Sequence, residues 1–487
     1  MEPITRRQAL VLGACGAAGV VVGGLGLSST GLPWTSPDAT PSGLLAEPSS
    51  LRSRGGVLRT ELVAAEHENE IAGRRALVLG YNGSVPASTW RVRPGDRIEV
   101  RLQNRLREPT NLHTHGLHVS PAGNGDNPLI SLAPGEVFDY LFDIPRDHPS
   151  GVFWYHPHHH GNVADQIFGG LFGAIVVEDD ALAVARERVL VISDISFAGG
   201  AVAAASEADR MMGREGDFLM VNGQLLPEIV ARPRERERWR IVNACTARYL
   251  RLALPGQRLE LLGIDSGHEP RPRAVDEVLL APGNRADLLV TMQTGSAQLR
   301  TLGYDRGAAM MGGMMAGGGS SSGPALLAFV EVRGPDAAVL PAVPPRAPDA
   351  DLRSHTPDAR REISFTMTMG MGMPQQGGMM ALGFDGRAFD AGRIDQRVGA
   401  ETVEEWTIRN PTPMDHPFHL HVWPMQLIQV NGSAIDGTQW RDVVNVPAQG
   451  SVVVRIDFAR FTGLTVYHCH ILDHEDLGMM GTVKAAA

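Results

Sequence analysis

Ten of the seventeen histidines fall into one pattern. Eight form His-x-His pairs: His113/His115 in "HTHG", His156/His158 in "WYHPH", His419/His421 in "HLH" and His468/His470 in "HCH". His416 and His474 flank the last two pairs. On a β-strand, side chains at i and i+2 leave the same face and i+1 leaves the opposite one. Each pair therefore aims two imidazoles one way, and four such strands brought together would collect eight. Cys469, enclosed by His468 and His470, must face away from both and serve a different centre. His474, five residues on, and Met479, ten on, can turn back toward its sulfur, and His416 can join from the other segment. Two imidazoles, a thiolate and a weak axial thioether form the blue-copper electron-transfer set, in which the coordinated thiol is deprotonated. The "HCH" strand is then a covalent path between a one-electron centre and an eight-imidazole cluster.

Each piece has a blander reading. A single His-x-His is often a surface pair. Zinc also takes Cys and His, but structural zinc favours paired C-x-x-C spacing, which is absent. Four pairs together with Cys, His and Met at fixed offsets favour copper. The other histidines, His67, His118, His148, His159, His160, His268 and His355, are expected to have no metal role. His158 is preferred over His159 and His160 by the i, i+2 rule.

The elements that must carry these residues repeat. "RVRPGDRIEVRLQNRLREPTNLHTHGLH" (91–118) is an alternating strand, a turn and a His pair, and "RVGAETVEEWTIRNPTPMDHPFHLHVW" (397–423) has the same order. "RPRERERWRIVNACTARYLRLAL" (232–254) follows the outline without histidines. Each copy meets a second matching segment, opening with "LAPGEVFDY", "LAPGNRADL" and "VPAQGSVVV". Short alternating strands punctuated by Gly and Pro predict antiparallel sandwiches. The expected fold is all-β, with three tandem β-sandwich domains over 55–180, 185–335 and 355–487. The middle one has no metal ligands and reads as a structural spacer.

Composition sets the bounds. With 43% apolar and 20% charged residues the 487-residue chain is an ordinary globular one. A net charge of −10 argues against a nucleic-acid partner, and "RPRERERWR" is a mixed-sign strand. No apolar run after residue 30 is long enough to span a bilayer. Residues 1–30, with Arg6–Arg7 ahead of a Gly/Ala-rich apolar run, read as a twin-arginine-like export signal, and 31–54 as a Pro/Ser/Gly-rich linker. The protein is then periplasmic, secreted or cell-surface. "LGAC" also offers Cys15 as a lipid anchor, but seven residues between Arg7 and Cys15 make a short apolar region, so cleavage ranks first. The remaining thiols, Cys245 and Cys469, do not suggest a disulfide staple, and no feature speaks to oligomeric state.

Taken together, "HTHGLH", "WYHPHHHG", "HPFHLH" and "HCHILDHEDLGMM" resemble the four copper motifs of the three-domain multicopper oxidases, the family of laccases and bacterial cuprous oxidases. The resemblance runs from about residue 55 to the C-terminus. It implies cupredoxin-like Greek-key domains and four copper ions. Type 1 copper would lie on His416, Cys469, His474 and Met479, and type 2 on His113 and His419. The type 3 pair would take His115, His156 and His470 on one side and His158, His421 and His468 on the other. It implies four one-electron oxidations of a reducing substrate (phenols, aromatic amines or Cu(I)) coupled to reduction of O2 to two waters. That reaction needs protons. Glu475 matches a family glutamate in this role. Asp126 in "GNGDNP" would match a family aspartate, although it lies two residues farther from His115, and its other reading is a turn residue.

The alternative is a copper-sequestering or scaffold protein on the same fold without turnover. Family members without turnover lack ligands, and none is missing here. A copper nitrite reductase would not need all four pairs. Substrate choice turns on methionine. Ten of nineteen fall in "MMGGMM" (310–315) and "MTMGMGMPQQGGMM" (367–380), and soft thioethers select Cu(I). Met414, two residues before His416, fits the family's cuprous-site pattern with Asp415 adjacent, while Thr412 stands where the family has an acid. Met367, Met369, Met371 and Met373 also alternate, as a core strand would.

Overall fold

The computed structural model describes residues 39–179, 182–307, 323–369 and 380–486. Residues 1–30, expected as an export signal, Cys15 among them, the methionines of 310–315 and those of 371–379 lie outside the described residues. Among the described residues strands dominate, and they form six sheets in three pairs. The first pair holds Val57–Ile71, Arg97–Asn104 and Val137–Asp143 in one sheet and His113–His115, Gly151–His156 and Gly173–Val177 in the other. Their inner faces share one core, including Leu62, Trp90, Val100, Phe142, Phe153 and Ile175. The third pair repeats this plan, with Val403–Asn410 and Gly450–Asp457 facing His416–Leu420, Gly463–Cys469 and Met480–Ala486. Trp406, Val454, Phe418 and Tyr467 fill its core.

Alternation explains the outer strands. In Arg97–Asn104, Ile98, Val100 and Leu102 are buried while Arg97 and Arg101 face solvent. The ligand-bearing strands do not alternate, because both of their faces are covered. Gly151–His156 is buried throughout. Phe153 and Tyr155 enter the first core, while Val152 and Trp154 join a second cluster with Val189, Val191 and Val242 from the middle sandwich. His156 shares the face of Val152 and Trp154, toward that inter-sandwich layer. Register then assembles the pairs: His113 opposes His156, and His419 opposes His468.

Two expectations change. The stretch expected as a linker, 31–54, is held to the body from residue 42 on. Ser42 and Leu45 donate to the carbonyls of Leu226 and Glu228, and Ser50–Arg52 pairs in parallel with Ala87–Val92. Its Pro/Ser/Gly content hid a segment that adds to existing edges. The middle sandwich is also more than a spacer. Its segment 206–214 carries the helix Glu207–Met212, closed by a capping box between Ser206 and Asp209, and straps across the C-terminal ligand loop. Arg214 N–H donates to Asp473 at 2.8 Å, and Arg306 Nη2 holds the Met212 carbonyl at 2.6 Å.

Candidate metal centres

Among the described residues two centres form, the larger where the first and third sandwiches meet and the smaller within the third. Eight histidines, all buried, make the larger one. Nε2 atoms of His158, His421 and His468 lie 3.1, 3.2 and 3.3 Å from one another. His468 keeps its proton on Nδ1, which donates to the Cys469 carbonyl at 2.9 Å, so its Nε2 presents a bare lone pair. Nitrogens sharing one ion at about 2.0–2.1 Å stand roughly 3.3 Å apart in a tetrahedral set. His115, His156 and His470 also converge, as do His113, His419 and His421, each group with one ring nitrogen per residue within 4.8 Å of the others.

Outer partners fix which nitrogen is free. His113 Nδ1 donates to Asp126 at 2.9 Å, His156 Nδ1 to the Pro157 carbonyl at 2.8 Å and His419 Nδ1 to the Asp442 carbonyl at 2.7 Å. The Nε2 atoms of His113, His156 and His419, and both ring nitrogens of His115 and His470, are buried with no hydrogen-bond partner. Burial, seconded by the neighbouring imidazoles, holds these rings far below the usual histidine range, His158 at about 4 and His156 at about 3. Neutral imidazoles with bare lone pairs in a dry interior are costly unless a cation accepts them. The donor set fits copper or another imidazole-loving divalent ion.

The smaller centre lies on the other side of the "HCH" strand. Cys469 faces the third core opposite Phe418, away from its two histidine neighbours, as the pleat requires. Its Sγ is 3.4 Å from His416 Nδ1 and 3.9 Å from His474 Nδ1, and it accepts the Ile471 N–H at 3.4 Å. The outer nitrogens are engaged: His416 Nε2 donates to Thr412 Oγ1 at 2.9 Å and His474 Nε2 to the Met211 carbonyl at 3.0 Å. Met479 is fully buried in the same cluster as Cys469. Burial pushes the Cys469 thiol well up, so a bound cation is what would make it a thiolate.

Sequence order explains how His474 and Glu475 part company. Both lie in the short helix Leu472–Asp476, where successive side chains diverge by about 100°. His474 turns to Cys469, while Glu475 turns to the larger centre, with Oε2 3.0 Å from His468 Nδ1 and Oε1 3.4 Å from His158 Nε2. Because the His468 proton goes to the Cys469 carbonyl, neither Glu475 oxygen has a donor of its own. Burial would raise Glu475, but His158 and His468 beside it outweigh this and hold it at about 2. Asp126 is no loose turn residue. It accepts from His113 Nδ1 and from Thr114 N–H (2.8 Å) and Oγ1 (3.2 Å), and burial raises it to about 7.

Met414 is fully buried and clusters with Met212 and the partly buried Met367 beside the smaller centre. Asp415 accepts from Tyr304 Oη at 2.6 Å, Asn445 Nδ2 at 2.9 Å and Ala448 N–H at 2.8 Å, so it braces a loop instead of offering an open carboxylate. Sequence reasoning missed four contributors: Asp442, Arg285, the Thr412 hydroxyl and the Met211 carbonyl. Only the repeated "LAPGNRADL" hinted at one of them, by placing Arg285 after a turn. His159 and His160 stay outside the cluster, His159 bonding Ser131 at 2.9 Å and His160 packing on Phe389.

Comparison with known proteins bears on both centres. Family models described as multicopper oxidase match residues 63–182, 192–298 and 356–487. A crystallised multicopper oxidase from Campylobacter jejuni, titled a metallo-oxidase, is 31% identical, with a TM-score of 0.80 over 94% of this chain and 98% of that one. Multicopper oxidase mco of Staphylococcus haemolyticus is 27% identical over 419 residues, 83% of each chain. Cell division protein FtsP of Escherichia coli is also 27% identical, over 474 residues covering 94% of this chain and 96% of its own.

Proposed function

Because this chain belongs to the multicopper oxidase family, we propose that it is a working oxidase. It would couple four one-electron oxidations of a reducing substrate to conversion of O2 and four protons into two waters. The observation that carries this is the intact donor set. All four His-x-His pairs, together with His416, Cys469 and His474, are gathered in the dry interior, and ring nitrogens of His113, His115, His156, His419 and His470 have no protein partner. His416, Cys469, His474 and Met479 would hold type 1 copper, and His113 and His419 type 2. His115, His156 and His470, with His158, His421 and His468, would hold the type 3 pair. Bound copper supplies the one-electron chemistry and the reaction with O2.

The chain's own residues do the rest. Cys469 and the flanking peptide units join the two centres through bonds. Asp126 orients His113, and Glu475, with two unpartnered oxygens against His158 and His468, can pass a proton into the cluster. Substrate access favours a small soft reductant. Neither type 1 imidazole shows a bare edge, since Thr412 and Met211 occupy the outer nitrogens, and Met212, Met367 and Met414 cluster their thioethers beside Thr412 and Met211. We therefore rank Cu(I) above phenols and aromatic amines. Asp415, held by three donors, is left out of that site. The Arg6–Arg7 signal further supports export, and no described helix is long and apolar enough to cross a membrane.

One relative favours a second reading. The likeness to a cell division protein fits a scaffold on this fold that holds metal without turnover. Metal analysis with oxygen-electrode assays on Cu(I) and on a phenol separates the readings. The proposal expects about four copper ions per chain and faster uptake with Cu(I). A copper-loaded chain that consumes no O2 would be the scaffold.

A further inference from the structure

Arg285 comes from the middle sandwich, which supplies no ligand, yet it ends against the larger centre with no solvent exposure. Its Nη2 donates to Asp442 Oδ2 at 2.6 Å and its Nη1 to Asp442 Oδ1, while Nε holds the Val152 carbonyl at 3.1 Å. The guanidinium thus ties the third sandwich to the first. Asp265 completes the clamp. It accepts from Arg285 N–H at 3.0 Å and from Asn284 Nδ2 at 2.9 and 3.1 Å, and its Oδ2 faces the N–H groups of Asp442 (3.3 Å) and Val443 (3.4 Å). Asp442 is held by both side chain and main chain.

What Asp442 then does is specific. Its carbonyl takes the Nδ1–H of His419 at 2.7 Å, which leaves His419 Nε2 bare. Its Oδ1 lies 3.6 Å from Nδ1 of His115, whose ring stacks on His419 at 4.0 Å and 8°. The fit allows no slack. A Cβ on Gly116 (φ +84°) would stand 2.8 Å from Asp442 Oδ2, and one on Gly283 (φ +85°) would stand 2.7 Å from His470 Nε2. The turn of "LAPGNRADL" is therefore shaped to press on cluster residues. Neither a spacer nor a stability device requires that contact. A buried ion pair is weak evidence of stability, and fixing geometry is its better-attested use.

We propose that Arg285 is a positioning residue that fixes Asp442, and through its carbonyl the His419 ring, so that the middle domain governs retention of type 2 copper; the His115 ring stacked on His419 is steadied with it. The inference rests on the four-copper reading above. Arg285→Lys tests it, because lysine keeps the charge but cannot make two parallel bonds to one carboxylate. The expected result is an unchanged blue band and type 1 EPR signal, with type 2 affinity in a chelator titration lower by about 10–100-fold. Asp265→Asn keeps the Arg285–Asp442 pair but removes the carboxylate charge 3.2 Å from Arg285 Nη1 and loosens the main-chain clamp, so a smaller shift of the same copper is expected. Wild-type type 2 affinity and EPR parameters in Arg285→Lys would overturn the inference, as would proportionate loss of type 1 and type 2 copper. If Arg285→Lys does not fold, unchanged type 2 copper in Asp265→Asn overturns it. A wild-type chain that binds copper but never shows a type 2 signal fails the four-copper reading itself, and this inference with it.

Discussion

Cys469 is the residue on which both proposed centres depend, because it would ligate one and sits in the strand that carries His468 and His470 to the other. Cys469→Ser should abolish the blue absorption and turnover while leaving a folded chain that still binds copper at the histidine cluster. Absorption and EPR spectra check this, and a variant that stays blue removes Cys469 from the type 1 site. Met479→Leu should keep the copper and raise the type 1 potential in a redox titration, since axial ligand identity tunes potential in such sites. Glu475→Gln retains size and should leave copper content and reduction by substrate unchanged while slowing reoxidation by O2 in stopped flow; wild-type reoxidation would end the proton role. The convergence of the histidine pairs was legible because the pleat turns His-x-His spacing into a shared direction. Asp126, Thr412 and Asp442 were harder to assign. Their contributions are hydrogen bonds at 2.7–2.9 Å made across loops, and no spacing rule reports on those.

At the scale of elements, alternating strands such as Arg97–Asn104 were legible, as was the repeat that sets His113 against His156 and His419 against His468. Strap 206–214 was not. Its helix is six residues long and owes its place to a Ser206 cap and to Arg214, which no amphipathic pattern advertises. That strap carries the Met211 carbonyl to His474 and Met212 to Met414. Replacing Met212 and Met414 together by leucine keeps volume but removes the soft donors. Cu(I) oxidation should fall roughly tenfold or more, by an interaction of about 1.4 kcal/mol or larger, with phenol oxidation little changed. Equal loss of both activities would make the pair core packing only.

Over the whole molecule, three sandwiches were readable from strand spacing and turn residues, but their mutual dependence was not. The chain gives no sign that Arg285 and the strap will make the ligand-free sandwich part of both centres, because those contacts join residues more than a hundred positions apart. Histidines drawn from the first and third sandwiches and braced by the middle one would make metal binding a whole-chain event. Copper loading should therefore raise Tm for the entire transition, as binding to the native state alone requires. Calorimetry in which only one of several transitions shifts would show sandwiches that unfold independently.

The central claim is that the assembled centres turn over. Oxygen uptake by the copper-loaded chain, measured as O2 consumed per Cu(I) oxidised with catalase added as a check for peroxide, tests it most directly. Competent four-electron reduction predicts four Cu(I) per O2, no return of oxygen on adding catalase, and no uptake in Cys469→Ser. Uptake no faster than the Cys469→Ser control, or two Cu(I) per O2 with oxygen recovered by catalase, would contradict the account.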